Sequence, residues 1–320
     1  MTQLRIPGPT PIPKLALKAM TREIVNHRSR EFQKLHRQVE SKLKKVFQTK
    51  NDILVLTASG TGAMEATIVN LFSRGDKVLI ASIGEFGDRY IKIAKIFGLE
   101  VIELKFPLGQ AVERKKLKQV LNEINNLRAV IITHNETSTG VTNDLEAIAK
   151  IVKQRDCLLI VDAVSSLGAI DLPIDKWKVD VAITASQKAW MAPPGLAMIS
   201  MSKEAWLFNK RSNLPKFYWD FQLAKKYLDR GETPFTPAIL NFFALDKSLD
   251  LILKEGFKKV FLRHCFLGDY VRRRILEMGL ELLPSEITFA SNTVTAVRAP
   301  TEVKIDSLLA ELKNKHGIVL

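Results

Sequence analysis

Cysteine is nearly absent: Cys157 and Cys265 are the only two in 320 residues. Two cysteines cannot build a disulfide framework or a four-cysteine zinc site, and they fit a reducing, cytoplasmic setting. No apolar stretch reaches the ~20 residues that span a bilayer. The opening residues, MTQLRIPGPTPIP, lack the apolar core of a secretory signal. Internal repeats and low-complexity tracts are missing too. Acidic residues are the minority charge, 34 against 48 Lys and Arg, which leaves a net charge of +14. That excess raises nucleic acid or an anionic surface as a partner. The densest basic runs, Arg114–Lys118 and Arg272–Arg274, nevertheless sit in segments with apolar residues at helical spacing. Solvated helix faces explain them, and no RNP, zinc-finger or basic-zipper pattern accompanies them. No nucleic-acid or membrane partner is expected. No second histidine or acid stands at ligand spacing from His134, so no metal site is expected either.

Short runs rich in Val, Ile and Leu are abundant: Ile53–Thr57, Lys77–Ala81, Glu100–Leu104, Ala129–Thr133, Cys157–Asp162, Asp180–Thr184 and Ala197–Met201. Amphipathic segments lie between most of them, including Gly62–Phe72, Asp88–Phe97, Glu113–Asn125 and Leu145–Gln154. Strands apolar on both faces, alternating with helices, predict an α/β fold with a largely parallel sheet covered on both sides. Ligands in such sheets bind beyond the carboxyl ends of the strands. An irregular stretch over 211–237 carries Phe217-Tyr218-Trp219. Beyond it, helices are expected over Ala238–Glu255, Lys258–Met278 and Lys304–His316, with a strand over Thr293–Arg298. The proline-rich start is extended by its composition. We expect an arm over 1–15, a large domain over 16–245 and a smaller α+β domain over 246–320.

Three constellations carry chemistry. Thr57-Ala58-Ser59-Gly60-Thr61-Gly62 follows a strand and opens a helix, where free N–H groups and hydroxyls make an anion seat. It lacks the Gly-Lys-Ser/Thr of a Walker loop and the third glycine of a dinucleotide fingerprint. Asp162 ends an apolar strand, where an acid costs desolvation unless it is paired. It either caps the helix that follows or partners a cationic ligand atom. Ser186-Gln187-Lys188 follows another buried strand, and burial lowers a lysine's pKa and frees its amine for Schiff-base chemistry. A surface lysine is the ordinary alternative. Together, an anion cradle, a ring-nitrogen carboxylate and a reactive lysine fit pyridoxal 5′-phosphate.

Further motifs run along the chain, beginning with Pro7-Gly8-Pro9-Thr10, His27-Arg28-Ser29, Thr57–Gly62 with Glu65, and Gly84–Arg89. Thr133–Gly140, Val161–Gly168, Ser186-Gln187-Lys188 and Pro193-Pro194-Gly195 follow. In these motifs and their order, the chain resembles the class V aminotransferases, pyridoxal-phosphate enzymes of fold type I, and within them the alanine–glyoxylate and serine–pyruvate group. The resemblance implies that Ser59, Gly60 and Thr61 hold the phosphate, with Gln187 in support. Phe86 would stack on the ring, with Val164 against its other face. Ser138 would hydrogen-bond near the ring oxygen and Asp162 would bind the ring nitrogen. Lys188 would form the Schiff base. A threonine of the partner subunit, here Thr233 or Thr236, would reach the phosphate, which implies a homodimer.

The implied activity is ping-pong transamination between alanine or serine and glyoxylate or pyruvate. The resemblance implies a further strand with a carboxylate-binding arginine that would lie beyond Leu320: either a terminal segment is missing from this sequence, or the protein has lost that contact. A lyase or desulfurase on the same fold is the alternative enzyme, but Cys157 and Cys265 both read as core residues. A degenerate subunit or a basic nucleic-acid binder are the non-enzymatic alternatives, and the joint presence of Asp162, Gln187 and Lys188 argues against degeneration. His27, Arg28, His134 and Trp190 read as packing, surface or pocket-lining residues.

Overall fold

The computed structural model describes residues 3–320, so the first two positions of the expected arm lie outside the described residues. Seven strands form the central sheet: β1 (Asp52–Leu56), β2 (Lys77–Ser82), β3 (Glu100–Lys105), β4 (Leu127–Thr133), β5 (Leu158–Asp162), β6 (Val181–Ala185) and β7 (Ala197–Met201). Their spatial order is β1-β7-β6-β5-β4-β2-β3. Neighbours from β6 to β3 pair in parallel, and β7 runs antiparallel to both β6 and β1.

The alternation of each strand divides its side chains between two apolar layers. Leu159 and Val161 enter one layer, with helices Arg30–Phe47, Arg114–Glu123, Leu145–Val152 and Ile239–Glu255. Leu158 and Ile160 enter the other, with helices Gly60–Leu71, Glu85–Ile96 and Phe221–Leu228. Burial on both faces is why these strands read as continuous apolar runs. Edge strand β3 is more exposed and carries Glu100, Glu103 and Lys105 instead.

Helix Ile239–Glu255 runs unbroken across position 245, and Phe242, Leu245, Leu249 and Ile252 all pack into the first layer. The next helix, Phe257–Glu277, carries the chain away from the sheet. The strand expected over Thr293–Arg298 is not formed. That segment makes one isolated antiparallel bridge, Val297 to Leu282, flanked by backbone hydrogen bonds from Leu283 to Ala296 at 2.9 Å and from Arg298 to Glu281 at 2.8 Å, and the pairing does not extend into a ladder. The last helix is Ile305–His316, and Ile318–Val319 then pairs in parallel with Gln3–Leu4.

Two side chains differ from expectation. Cys265 is exposed on its helix rather than in a core. Arg272 is buried rather than solvated, donating to the Ser291 carbonyl at 2.6 Å and to Asn292 at 2.9 Å. Among the described residues, no helix is long and apolar enough to cross a membrane.

Candidate active site

The carboxyl ends of β4, β5 and β6 lie side by side, with Thr133 opposite Asp162 and Asp162 opposite Ile183. Asp162 is buried, and its Oδ1 accepts the Val164 N–H at 2.9 Å. Burial pushes its carboxyl up to about 7, the buried Glu136 carboxylate adds to the rise, and Arg89 and Lys188 oppose it. A cation at the ring-nitrogen position would reverse that penalty.

Lys188 lies three residues beyond the end of β6 and is half-buried. Its Nζ donates to the Pro7 carbonyl at 2.8 Å. Burial lowers the amine's pKa, while Asp162 raises it. The arm is fastened across this loop, since Thr10 donates its N–H to the Gln187 carbonyl and its hydroxyl to the Lys188 carbonyl, both at 2.9 Å. Gly8 packs directly on the lysine stem, where a side chain has no room. A small cavity of about 90 Å³ beside Lys188 is lined by Pro7, Thr10, Thr137, His264 and Thr293 among others.

Ser59 caps helix Gly60–Leu71, its Oγ accepting the Gly62 N–H at 3.2 Å. The first amides of the helix beyond the cap remain available to an anion. Gly60 faces Val164, whose methyl would lie 2.9 Å from any Cβ there, so the helix start and the β5 turn approach as backbone to side chain.

A second helix, Glu85–Ile96, begins beside the first with Phe86 in its opening turn. The fully buried Glu136 holds that turn, its Oε2 accepting the N–H groups of Phe86 at 3.0 Å and Gly87 at 3.3 Å. Its Oε1 accepts from Ser138, the N–H at 3.1 Å and the hydroxyl at 2.6 Å. The Ser138 Oγ in turn accepts the Glu85 N–H at 3.1 Å.

The fold therefore gathers Ser59, Gly60, Thr61, Phe86, Ser138, Asp162, Val164, Gln187 and Lys188 around the carboxyl edge of the sheet. Thr233 and Thr236 lie elsewhere, on a loop against Val55, Thr57 and Tyr218. The Thr233 hydroxyl donates to the Phe235 carbonyl at 2.8 Å, whereas Thr236 is exposed. Arg28 fastens this loop, donating to the carbonyls of Thr233 at 2.6 Å and Pro234 at 2.8 Å and pairing with Glu232. Trp190 is core, stacked on Phe47 and donating to Thr184. His134 is buried against Trp177, with its backbone N–H on the Asp162 carbonyl at 2.9 Å.

Sequence reasoning passed over Gly8, Arg89, Glu136 and His264. The first three stand inside the matched motifs, yet only the contacts give them a role. His264 sits far along the chain and gives no local signal.

The residues fit pyridoxal 5′-phosphate on the structure's own terms. Asp162 is buried with its carboxyl pushed up to about 7, an acid whose charged form calls for a cationic partner such as a protonated ring nitrogen. Among the described residues no group of three or more His, Cys, Asp or Glu side chains is arranged to hold a metal ion.

The chain is similar to known proteins over almost its whole length. The family model described as Aminotransferase class-V matches residues 8–320. The "Soluble hydrogenase, small subunit" of a Synechococcus strain is 42% identical over 320 residues, 99% of this chain and 83% of that protein. The serine–glyoxylate aminotransferase of Methylorubrum extorquens is 34% identical, covering 99% of this chain and 81% of its own length. Among solved structures, alanine–glyoxylate aminotransferase from Nostoc sp. superposes with a TM-score of 0.95 at 32% identity, over 99% of this chain and 85% of that one.

Proposed function

The chain belongs to the class V aminotransferases, and from that membership we propose that it moves the amino group of alanine or serine to glyoxylate or pyruvate. It is a pyridoxal-phosphate-dependent aminotransferase. The observation that supports the site assignment is that Asp162 ends β5 and Lys188 lies just beyond the end of the neighbouring β6, near the open helix start at Gly60.

When bound, pyridoxal 5′-phosphate supplies an aldehyde for the amino group and a protonated ring that draws electrons from the substrate Cα. Ser59, Gly60 and Thr61 would hold the phosphate through the open helix amides, and Gln187 would add the N–H of its side-chain amide. Phe86 and Val164 would hold the ring between them, with Ser138 on the side of its oxygen. Asp162, charged in the dry strand end, keeps a proton on the ring nitrogen. Lys188 has its amine pKa lowered by burial, which favours the neutral form needed to take a proton from the substrate Cα and return it. The small cavity at Lys188, lined by the hydroxyls of Thr10, Thr137, Ser165 and Thr293 and by the His264 imidazole, suits an amino acid with a small, uncharged side chain.

A homodimer completes the site in this reading, with the exposed Thr236 offered to the partner's phosphate. The two free cysteines suit the cytoplasm.

Cofactor-loaded protein should absorb in the visible, lose that band with L-alanine or L-serine, and regain it with glyoxylate or pyruvate. Lys188→Ala should abolish turnover. Borohydride reduction of the loaded wild type, followed by peptide mapping, should place the pyridoxyl group on Lys188. A label on any other lysine, or no spectral response to any small amino acid, defeats the reading.

A further inference from the structure

We propose that Arg89 is a positioning residue of the cofactor seat, fastening Phe86 and Thr61 to each other through one guanidinium. Its Cζ lies 4.6 Å from the centroid of the Phe86 ring. Its Nη1 donates to the Thr61 Oγ1 at 3.2 Å. Its Nη2 is 3.7 Å from Glu85, one helical turn earlier. Phe86 and Thr61 belong to two helices, Glu85–Ile96 and Gly60–Leu71, that start side by side. Apart from backbone packing, something must set the aromatic ring at a fixed distance from the anion seat, because a ring and a phosphate on one ligand engage both at once.

A guanidinium suits that task. It is planar, so it can cover one face of Phe86 while leaving the other free, and its N–H groups point in fixed directions. Accepting from Arg89 also occupies a lone pair of the Thr61 hydroxyl and turns its own O–H away, which leaves that proton to donate to an anion. The positive charge acts on Asp162 as well, drawing its carboxyl down against burial. One side chain thereby touches the ring-stacking residue and a phosphate-seat residue and biases the ring-nitrogen acid. A lysine would keep the charge and lose the plane and the fork.

The proposal rests on the aminotransferase reading. Its test uses the full-length protein freed of cofactor, with pyridoxal 5′-phosphate as the probe. The variants are Arg89→Lys, Arg89→Gln and, as a control, Lys92→Gln on the exposed face of the same helix. Both Arg89 variants should bind the probe about ten-fold more weakly and change the visible circular dichroism of the bound form. The melting temperature of the cofactor-free protein should stay that of wild type, and the control should match wild type throughout. Wild-type affinity and dichroism in Arg89→Lys would overturn the assignment. So would a lowered melting temperature with unchanged dichroism, which marks a structural role alone. Failure of wild type to bind the probe would instead bring down the cofactor reading, and this inference with it.

Discussion

Gly8 and Lys188 approach so closely that the glycine has no room for a side chain: a Cβ there would lie 2.6 Å from Nζ and 2.8 Å from Cε. Gly8 also has φ +148°, a conformation that favours glycine. Changing Gly8 to Ala should therefore cost about 1–3 kcal/mol of backbone strain and push the lysine stem aside. We expect kcat to fall by ten-fold or more, on the order of 1.4 kcal/mol or greater, together with slower borohydride labelling of Lys188. Wild-type kcat and labelling in Gly8→Ala would show that the lysine amine is not placed by this contact.

Asp162 should make the cofactor-free protein less stable as pH rises. Its folded pKa of about 7 lies above the ordinary 3.8. Between those values the native state holds a proton that the unfolded chain has released, so stability is greatest below pH 4 for this group and is lost as pH climbs through 7. The effect amounts to a few kcal/mol, at roughly 1.4 kcal/mol per unit. Asp162→Asn should thus raise the melting temperature of cofactor-free protein at pH 8 and change it little at pH 4.5. The same substitution should remove nearly all activity from the loaded enzyme. An equal shift in melting temperature at both pH values would mean that the carboxyl is charged throughout.

Glu136→Gln should be destabilising despite its nearly equal size. Both carboxylate oxygens accept, two N–H groups at Oε2 and the N–H and hydroxyl of Ser138 at Oε1. Whichever oxygen becomes an NH₂ then faces donors in a buried site, at a cost of roughly 2–4 kcal/mol. Urea unfolding of cofactor-free protein measures this, and a loss below half a kcal/mol would refute the anchoring role.

Thr233 and Thr236 should separate by phenotype. The Thr233 hydroxyl already serves the Phe235 carbonyl within its own loop, and the residue is buried. Thr233→Val should lower stability with little direct effect on cofactor affinity. Thr236 is exposed, so Thr236→Val should leave stability near wild type and weaken cofactor binding only in the dimer. Sedimentation alongside cofactor titration distinguishes the two, and the reverse pattern would exchange their roles.

The sheet was readable from residue order because burial on both faces forces unbroken Val, Ile and Leu runs, and six of its seven strands are parallel to one another. Asp162 and Lys188 stood out for the opposite reason, as polar groups at the ends of such runs where desolvation demands a ligand. What local pattern does not encode is contact between segments far apart in the chain. Glu136 is an unremarkable acid until the fold lays it under the amides of Phe86 and Gly87, and Gly8 is one glycine in a proline-rich arm until that arm crosses Lys188. Thr233 and Thr236 are the same residue type three positions apart, and only the turn that folds one hydroxyl inward tells them apart. The apolar pattern at Thr293–Arg298 suggested a strand, but the pairing there stops at a single bridge and does not extend into a ladder. The sequence by itself therefore determined the layers and the two groups that burial makes costly. Tertiary structure decided which distant side chains hold those groups in place, because hydrogen bonds and close packing depend on proximity in space rather than along the chain.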